Sequence, residues 1–322
     1  MKIGNIELAH GLMLAPMAGF TDRAMRLVCR EGGAEYTVTE MISAKAVTFG
    51  DKKTFSLAKI GEDEGPVGLQ IFGSEPEVMA RAAARLEQGE EGFARPIAID
   101  INMGCPVHKI FSNGEGSALM RSPELIEKIV AAVKRETSIP VTVKMRLGTD
   151  REHVNVIECA GAAESGGAEI IAVHGRTKNE MYSGEADLET IRKVKSYLQI
   201  PLVANGDIVD ADSAVRAFSA TGADGIMIGR GAIGNPFIFE EIAARLEGRA
   251  FTPPTLEDRI TTAIRQLELA VADKGEAIAI PEARKQTALY LKGFRGAAAI
   301  RAEINRALTL DEARRALESA LK

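Results

Sequence analysis

A cysteine stands between Gly104 and Pro106 in the stretch NMGCP, in a loop setting rather than on an apolar face. A thiol with an ordinary pKa, near ~8.5, is mostly protonated at neutral pH, so Cys105 suits a general acid better than an attacking thiolate. Lys144 lies inside the β-branched run VTVKM, where a lone ammonium is costly without an anionic partner. His174 directly follows another such run and can hydrogen-bond a bound ring or a carbonyl. In Asn205-Gly206-Asp207 and Gly229-Arg230-Gly231 the glycines let backbone N–H groups approach an anion, and Arg230 adds a fixed charge. Tight turns alone are the plainer account of either loop; the two together favour a phosphate site.

These groups need elements that bring them to one place. Short runs rich in β-branched residues recur over 12–15, 35–39, 67–72, 97–101, 141–145, 170–173, 202–204 and 225–228, with helical stretches between them. Helix starts are signalled at Thr21-Asp22, Ser74-Glu75, Ser122-Pro123 and Asp210. Eight βα units predict an α/β fold of the (β/α)8 TIM-barrel type, because a doubly wound sheet has fewer strands and opens with a Gly-rich turn, whereas the first run here ends in APMAG. In a barrel the residues after each strand converge on one face, which gathers Pro16-Met17, Glu40, Gln70, Asn102 with Cys105, Lys144 with Arg146, His174 with Arg176, and the two Gly-rich loops. The loops after strands seven and eight are where barrels often hold a phosphate. At such a mouth Lys144 faces the N1/C2 edge of a flavin, where negative charge collects on reduction; a structural salt bridge to Glu40 or Asp100 is the alternative.

The chain has 322 residues, 46% hydrophobic and 26% charged, as a soluble globular protein would. Its start, MKIGNIELAHGLML, lacks the sustained apolar core of a signal peptide, and no stretch reaches the ~18 apolar residues of a membrane helix. Cys29, Cys105 and Cys159 are far apart with no CxxC pair, which argues for a reduced cytoplasmic setting without disulfide or metal; Cys29 and Cys159 read as buried packing residues. After the run at 225–228 one helix reaches about Gly248, FTPPT reads as a linker, and Thr255 to Asp258 resembles a capping box. The expected division is a catalytic barrel over 1–248 and a small all-α domain over 249–322.

These motifs resemble those of the tRNA-dihydrouridine synthase family. The match runs through LAPMAGFTDRAMR (14–26), GLQIFGS (68–74), DINMGCPVHK (100–109), VTVKMRLG (141–148), VHGRT (173–177) with Tyr182-Ser-Gly184, NGDI (205–208) and GADGIMIGRGAIGNPFIF (222–239). ARKQTALYLKGFRGAAAIRAEIN (283–305) is similar to the bacterial B-type branch, with Gln286 where that branch usually has His and Leu289 where it usually has Trp. The resemblance implies FMN-dependent, NADPH-driven reduction of a uridine, in the D-loop of tRNA, by a monomer. It implies that Ala15, Pro16 and Met17 with Gln70, Lys144 and His174 bind the FMN ring, and that Asn205, Gly206, Asp207, Gly229 and Arg230 hold its phosphate end. Asn102 and Arg176 would touch the uracil or its backbone, Arg146 an RNA phosphate, and Cys105 would protonate C5 as hydride reaches C6.

Three rivals share parts of this pattern: a flavin barrel acting on a free pyrimidine, an RNA-binding barrel without catalysis, and a non-flavin phosphate-binding barrel. The first leaves the helical domain unexplained, the second leaves Cys105 and Lys144 without a task, and the third predicts a colourless protein. A net charge of −5 excludes coating of nucleic acid by bulk electrostatics, so RNA contact must be local. Between residues 284 and 306 six basic residues, among them Lys285, Lys292 and Arg295, face only Glu303, a local +5. Lys285 and Lys292, two helical turns apart, are expected on one face, as a tRNA contact or as a merely solvated surface.

Overall fold

The computed structural model describes residues 1–89 and 93–322. Among these, eight parallel strands close into a barrel: β1 (Leu12–Leu14), β2 (Tyr36–Val38), β3 (Val67–Phe72), β4 (Ala98–Met103), β5 (Val141–Met145), β6 (Ile170–His174), β7 (Leu202–Asn205) and β8 (Gly225–Ile228). Neighbours in sequence are neighbours in the sheet, and β8 pairs with β1, Met227 opposite Met13, to close the ring. Each strand alternates. In β4, Ile99, Ile101 and Met103 join the core under the helices while Ala98, Asp100 and Asn102 take the other face. In β5, Val141, Val143 and Met145 go outward and leave Thr142 and Lys144 for the inside. The lower interior is apolar, with Met13, Tyr36, Val38, Ile170 and Val203; the inward positions near the C-terminal strand ends are Gln70, Asn102, Lys144, His174 and Asn205. Polarity thus rises along the barrel axis toward the mouth.

Helices α1 (Arg23–Glu31), α2 (Pro76–Glu87), α3 (Pro123–Glu136), α4 (Val156–Ser165), α5 (Leu188–Tyr197), α6 (Ala211–Thr221) and α7 (Ile238–Leu246) cover the outside, with two shorter helices, Ala44–Thr48 and Lys52–Ser56, between β2 and β3. Asp22, Ser122 and Asp210 cap their helices through side-chain oxygens, as their sequence positions predict. At α2 the expectation shifts by one: Glu75 is the cap residue, without a side-chain bond, because Pro76 supplies the first-turn geometry. Two features have no clear sequence signal. A two-stranded hairpin, Lys2–Ile3 with Ile6–Glu7, brings Ile3 and Leu8 against the barrel floor. After β2 the ladder breaks, the Thr39 hydroxyl accepts the Gln70 N–H (3.1 Å), and pairing with β3 resumes only at Ile42–Ser43.

Beyond the linker come α8 (Leu256–Lys274), α9 (Glu276–Tyr290), α10 (Ala297–Arg306) and α11 (Leu310–Glu318), packed on a core of their own around Leu267, Tyr290, Ile304 and Leu317. Thr255 and Asp258 form the expected capping box. This helical layer docks on the β8/β1 side of the barrel. Lys274 bonds Asp22 (2.7 Å) and Glu282 (2.8 Å), and these carboxylates hold its ammonium well above the usual lysine range. Gln286 donates to the Phe20 carbonyl (3.1 Å) and accepts from Gln266 (2.6 Å), which in turn accepts from the Tyr290 hydroxyl (2.8 Å). Gln286 therefore serves domain docking through a fully bonded buried network. Gly234 allows the closest approach: at φ +69°, a Cβ there would stand 2.7 Å from the Leu289 backbone.

Candidate active site at the barrel mouth

A cavity of about 1120 Å³ opens at the C-terminal ends of the strands and is walled on one side by the helical domain. Ala15, Pro16, Met17, Gln70, Asn102, Cys105, Lys144, Arg146, His174, and the Asn205–Asp207 and Gly229–Gly231 loops all reach it. The Cys105 loop is held by a chain of side-chain bonds rising from the barrel interior. Asp100 accepts from the Thr142 hydroxyl (2.5 Å) and from Gln70 Nε2 (2.7 Å); Gln70 Oε1 accepts from Asn102 Nδ2 (2.8 Å); Asn102 Oδ1 accepts the backbone N–H of Gly104 (3.1 Å) and Cys105 (2.9 Å). Burial raises the Asp100 pKa, opposed by the bonds from Thr142 and Gln70 and by the Lys144 charge; as a carboxylate it only accepts, so it fixes the direction of both amides and leaves Asn102 an oxygen to offer the loop. Ser117 closes the loop from below by donating to the Cys105 carbonyl (2.8 Å). The thiol itself is buried, which pushes its pKa up and keeps it protonated.

Asp100→Asn tests this arrangement. Asparagine still fills the space but also donates, so the reversed amide order, which points Asn102 Nδ2 at the Cys105 N–H, becomes accessible. Alkylation of Cys105 should then speed up roughly tenfold, the equivalent of losing about one charge-assisted hydrogen bond. Cys29 and Cys159 are fully buried and serve as silent internal references. An unchanged alkylation rate would mean that the carboxylate does not hold the loop.

Lys144 donates to Asn205 Oδ1 (3.0 Å) and forms no ion pair within 4.0 Å with Glu40 or Asp100, although the Asp100 charge still acts on it from a distance. Asn205 is oriented for this because its Nδ2 donates to the Met227 carbonyl (2.6 Å). Burial, and after it the Arg146 charge, bring the Lys144 pKa from 10.5 down to about 8, with the Asp100 charge opposing them. His174 is held neutral: burial first, then Lys144, Arg146, Arg176 and Arg230, bring its pKa down to about 2. Its Nε2 lies 3.5 Å from Arg176 Nη1; an arginine only donates, so the ring proton belongs on Nδ1.

Two arginines at the mouth are bonded to loop carbonyls. Arg176 is 1% exposed and lies outside the cavity wall; it donates to the carbonyls of Ser183 (2.9 Å) and Gly184 (2.6 Å) and to the Asp207 carboxylate (2.6 Å). Arg146 reaches the wall although only 3% exposed; its Nε and Nη1 donate to the carbonyls of Gly104, Thr177 and Met181 (2.9 to 3.0 Å), which leaves Nη2 for the cavity side. Both brace the mouth loops, since a buried guanidinium takes the loop carbonyls within its reach. Asp207, at φ +52°, is held by Arg176 and the Ala186 N–H and stands 3.6 Å from Arg230, so its charge steadies Arg230. Arg230 is the open cation, half exposed over the Tyr182 ring (4.6 Å). At Gly231 a Cβ would stand 2.3 Å from the Ile208 carbonyl, so only glycine lets the two phosphate-type loops pack together.

From the helical domain, Lys285, Leu289, Lys292 and Arg259 complete the wall. Lys292 is not on the helix, since α9 ends at Tyr290; it sits in the following turn, where its carbonyl accepts from Arg259 (2.7 Å), yet it lines the cavity with Lys285. Arg295 is exposed and outside the wall. Sequence reasoning missed Arg259 and Met41, and took Asp100 only as a counterion. Arg259 follows the TPPT linker by one helical turn, the only sequence hint of its place.

A family model described as Dihydrouridine synthase (Dus) matches residues 13–322. The chain is 40% identical to tRNA-dihydrouridine synthase B of Xanthomonas axonopodis pv. citri, over 97% of this chain and 92% of that protein. It is 39% identical to tRNA-dihydrouridine synthase B of Pseudomonas aeruginosa, over 95% and 91%. Among solved structures, histamine dehydrogenase from Rhizobium sp. 4-9 superposes with a TM-score of 0.57 at 15% identity, over 89% of this chain and 50% of that one. An old yellow enzyme homologue from Zymomonas mobilis gives 0.51 at 13% identity, over 80% and 94%. At these identities the structural likeness is one of fold.

Proposed function

Since the chain belongs to the dihydrouridine synthase family, we propose that it reduces the C5–C6 bond of a uridine in tRNA, with FMN as resident cofactor and NADPH as reductant. The observation that carries this reading is one cavity holding a protonated thiol, a buried ammonium with no carboxylate in contact with it, and cations from a second domain. The residues fit FMN. Lys144 has no carboxylate at salt-bridge distance, the Gly206 and Gly229 loops line the cavity, and Arg230 stands half exposed beside them. When bound, FMN would supply the hydride chemistry.

The chain's own part is positional and acid–base. Ala15 to Met17, Gln70 and neutral His174 line the side on which a ring would lie, and Lys144 offsets negative charge at its edge. Asn205 aims Lys144, and Gly206, Gly229 and Arg230, steadied by Asp207, receive a phosphate. Asn102 sets the loop that holds the Cys105 thiol toward the cavity, so that Cys105 can protonate C5 of a uracil drawn out of the RNA stack. Lys285, Lys292 and Arg259 meet phosphates of the same RNA, a use that a free pyrimidine would not have for them. Residues 1–248 thus carry the chemistry and 249–322 help hold the tRNA.

The test is mass mapping of dihydrouridine in tRNA from a strain lacking the gene, with and without its restoration. At least one site should lose the modification and regain it, and the purified protein should be yellow and oxidise NADPH in the presence of that tRNA. Intact dihydrouridine in the deletion strain, with turnover on a free pyrimidine, would defeat the reading.

A further inference from the structure

Immediately after Cys105-Pro106-Val107, the short helix His108–Ser112 carries Phe111, and two cations lie over that ring: the Arg121 guanidinium and the Lys178 ammonium, each 4.4 Å from its centroid. Lys109, on the same helix, is exposed. Among the described residues no carboxylate lies within 4.0 Å of Lys109, Arg121 or Lys178. The nearby acids are committed elsewhere, Glu180 to Arg151 (2.9 Å) and Asp150 to His153 (2.6 Å). Two cations on one ring repel each other, and a ring quadrupole offsets only part of that; an anion drawn to the cluster offsets more of it. The cavity repeats the device, with Arg230 (4.6 Å) and Arg146 (5.7 Å) on Tyr182, and Tyr182 shares its loop with Lys178.

The ring of strands gives this cluster its position. The helical domain docks at β8 and β1, whereas Phe111 and Arg121 follow β4 and Lys178 follows β6, which places them across the mouth from it. Val107, 51% exposed, forms the lip between the cluster and the cavity. Resting on the tRNA reading above, we propose that Lys109, Arg121 and Lys178 form a second phosphate-binding surface, so that RNA is gripped on both sides of the inserted base. One side is the helical-domain wall; the other is this cluster. It offers charge but no set of base-reading groups, so it holds RNA backbone irrespective of sequence.

The experiment is tRNA affinity across a salt series for the wild type, for Lys109→Ala/Arg121→Ala/Lys178→Ala, and for Arg259→Ala/Lys285→Ala/Lys292→Ala. Each triple variant should flatten the slope of log K against log salt by about 2 to 3, at roughly 0.7 to 0.9 per phosphate contact, and the two losses should add because the sites are far apart. Arg121→Gln with Lys178→Gln keeps the aliphatic stems on Phe111 and should still flatten the slope by roughly 1.5, with the melting temperature unchanged. A wild-type slope in the cluster variants, beside a flattened slope in the helical-domain variant, overturns the second surface and leaves the function standing. A wild type that binds no tRNA at all would instead bring down the functional reading, and the proposal with it.

Discussion

Cys105→Ala should lower the rate of uridine reduction by about 10² to 10⁴ while leaving flavin content and the reduction of that flavin by NADPH close to wild type. The size follows from what the side chain is placed to do. Its loop is fixed from three sides, by Asn102 Oδ1 on the backbone N–H, Ser117 on the carbonyl and Arg146 on the carbonyl of Gly104, so removing a small buried side chain should not collapse the loop. Burial raises the thiol pKa, so the proton is present throughout the neutral range and is available for transfer. Only the step that protonates C5 needs it. The measurement is single-turnover: protein reduced beforehand, mixed with tRNA, with the return of flavin absorbance followed in time. Because the thiol stays protonated past its ordinary range, the wild-type rate in this step should not fall between pH 7 and 8.5 on account of Cys105. A mutant with the wild-type single-turnover rate would make Cys105 a packing residue.

The eight strands were legible because their outward residues form unbroken β-branched series such as Ile99-x-Ile101 and Val141-x-Val143, which only a buried parallel sheet accommodates. The inward series was harder to see. Asp100 and Asn102 alternate with those apolar residues in β4, and the period of two, applied strictly, separates them from the core positions. The floor hairpin escaped notice because strands of two residues carry no periodic signal. The β2 interruption escaped because it depends on the Thr39 hydroxyl replacing a main-chain acceptor, a substitution visible only in three dimensions.

Most of the mouth was legible for the same topological reason: residues after parallel strands in a closed ring must converge. The surroundings of the cations were not legible. Arg146 and Arg176 follow strands just as Arg230 does, yet whether a guanidinium faces ligand or protein depends on where loop carbonyls fall, and the 177–184 loop curls back to offer them Thr177, Met181, Ser183 and Gly184. Arg230 meets no such ring of carbonyls and stays open. Lys292 shows the converse. The helical periodicity that suggested a shared face with Lys285 ends at Tyr290, and the turn that follows brings Lys292 to the cavity by another route.

Lys144→Met should have two opposite effects, a more stable apoprotein and a reductive half-reaction slower by about 10² to 10³, the usual loss when one preorganised electrostatic donor is removed. The first follows from the pKa. Lowering it from 10.5 to about 8 corresponds to roughly 3 kcal/mol of folding free energy lost by holding the ammonium inside the barrel. The sign is fixed by linkage: below pH 8 the lysine is charged both folded and unfolded, and the full cost applies; between 8 and 10.5 the folded protein sheds the proton first, and the cost fades. Wild-type apoprotein should therefore gain stability against the methionine variant as pH rises through that window, and the two should converge above it. Denaturant unfolding at several pH values measures this. The second effect follows from the bond to Asn205, which aims the charge into the cavity. A bound anionic group raises the lysine pKa again, so the reductive rate of the holoenzyme should fall only above pH 8, and the fall should be missing in Lys144→Met. A methionine variant that reduces at the wild-type rate, or a wild type whose apoprotein stability tracks the mutant across pH 7 to 10, would mean that this ammonium is carried at no cost and for no electrostatic purpose. A charge that weakens the fold and that the distant Asp100 only partly offsets is otherwise hard to account for in the floor of a cavity.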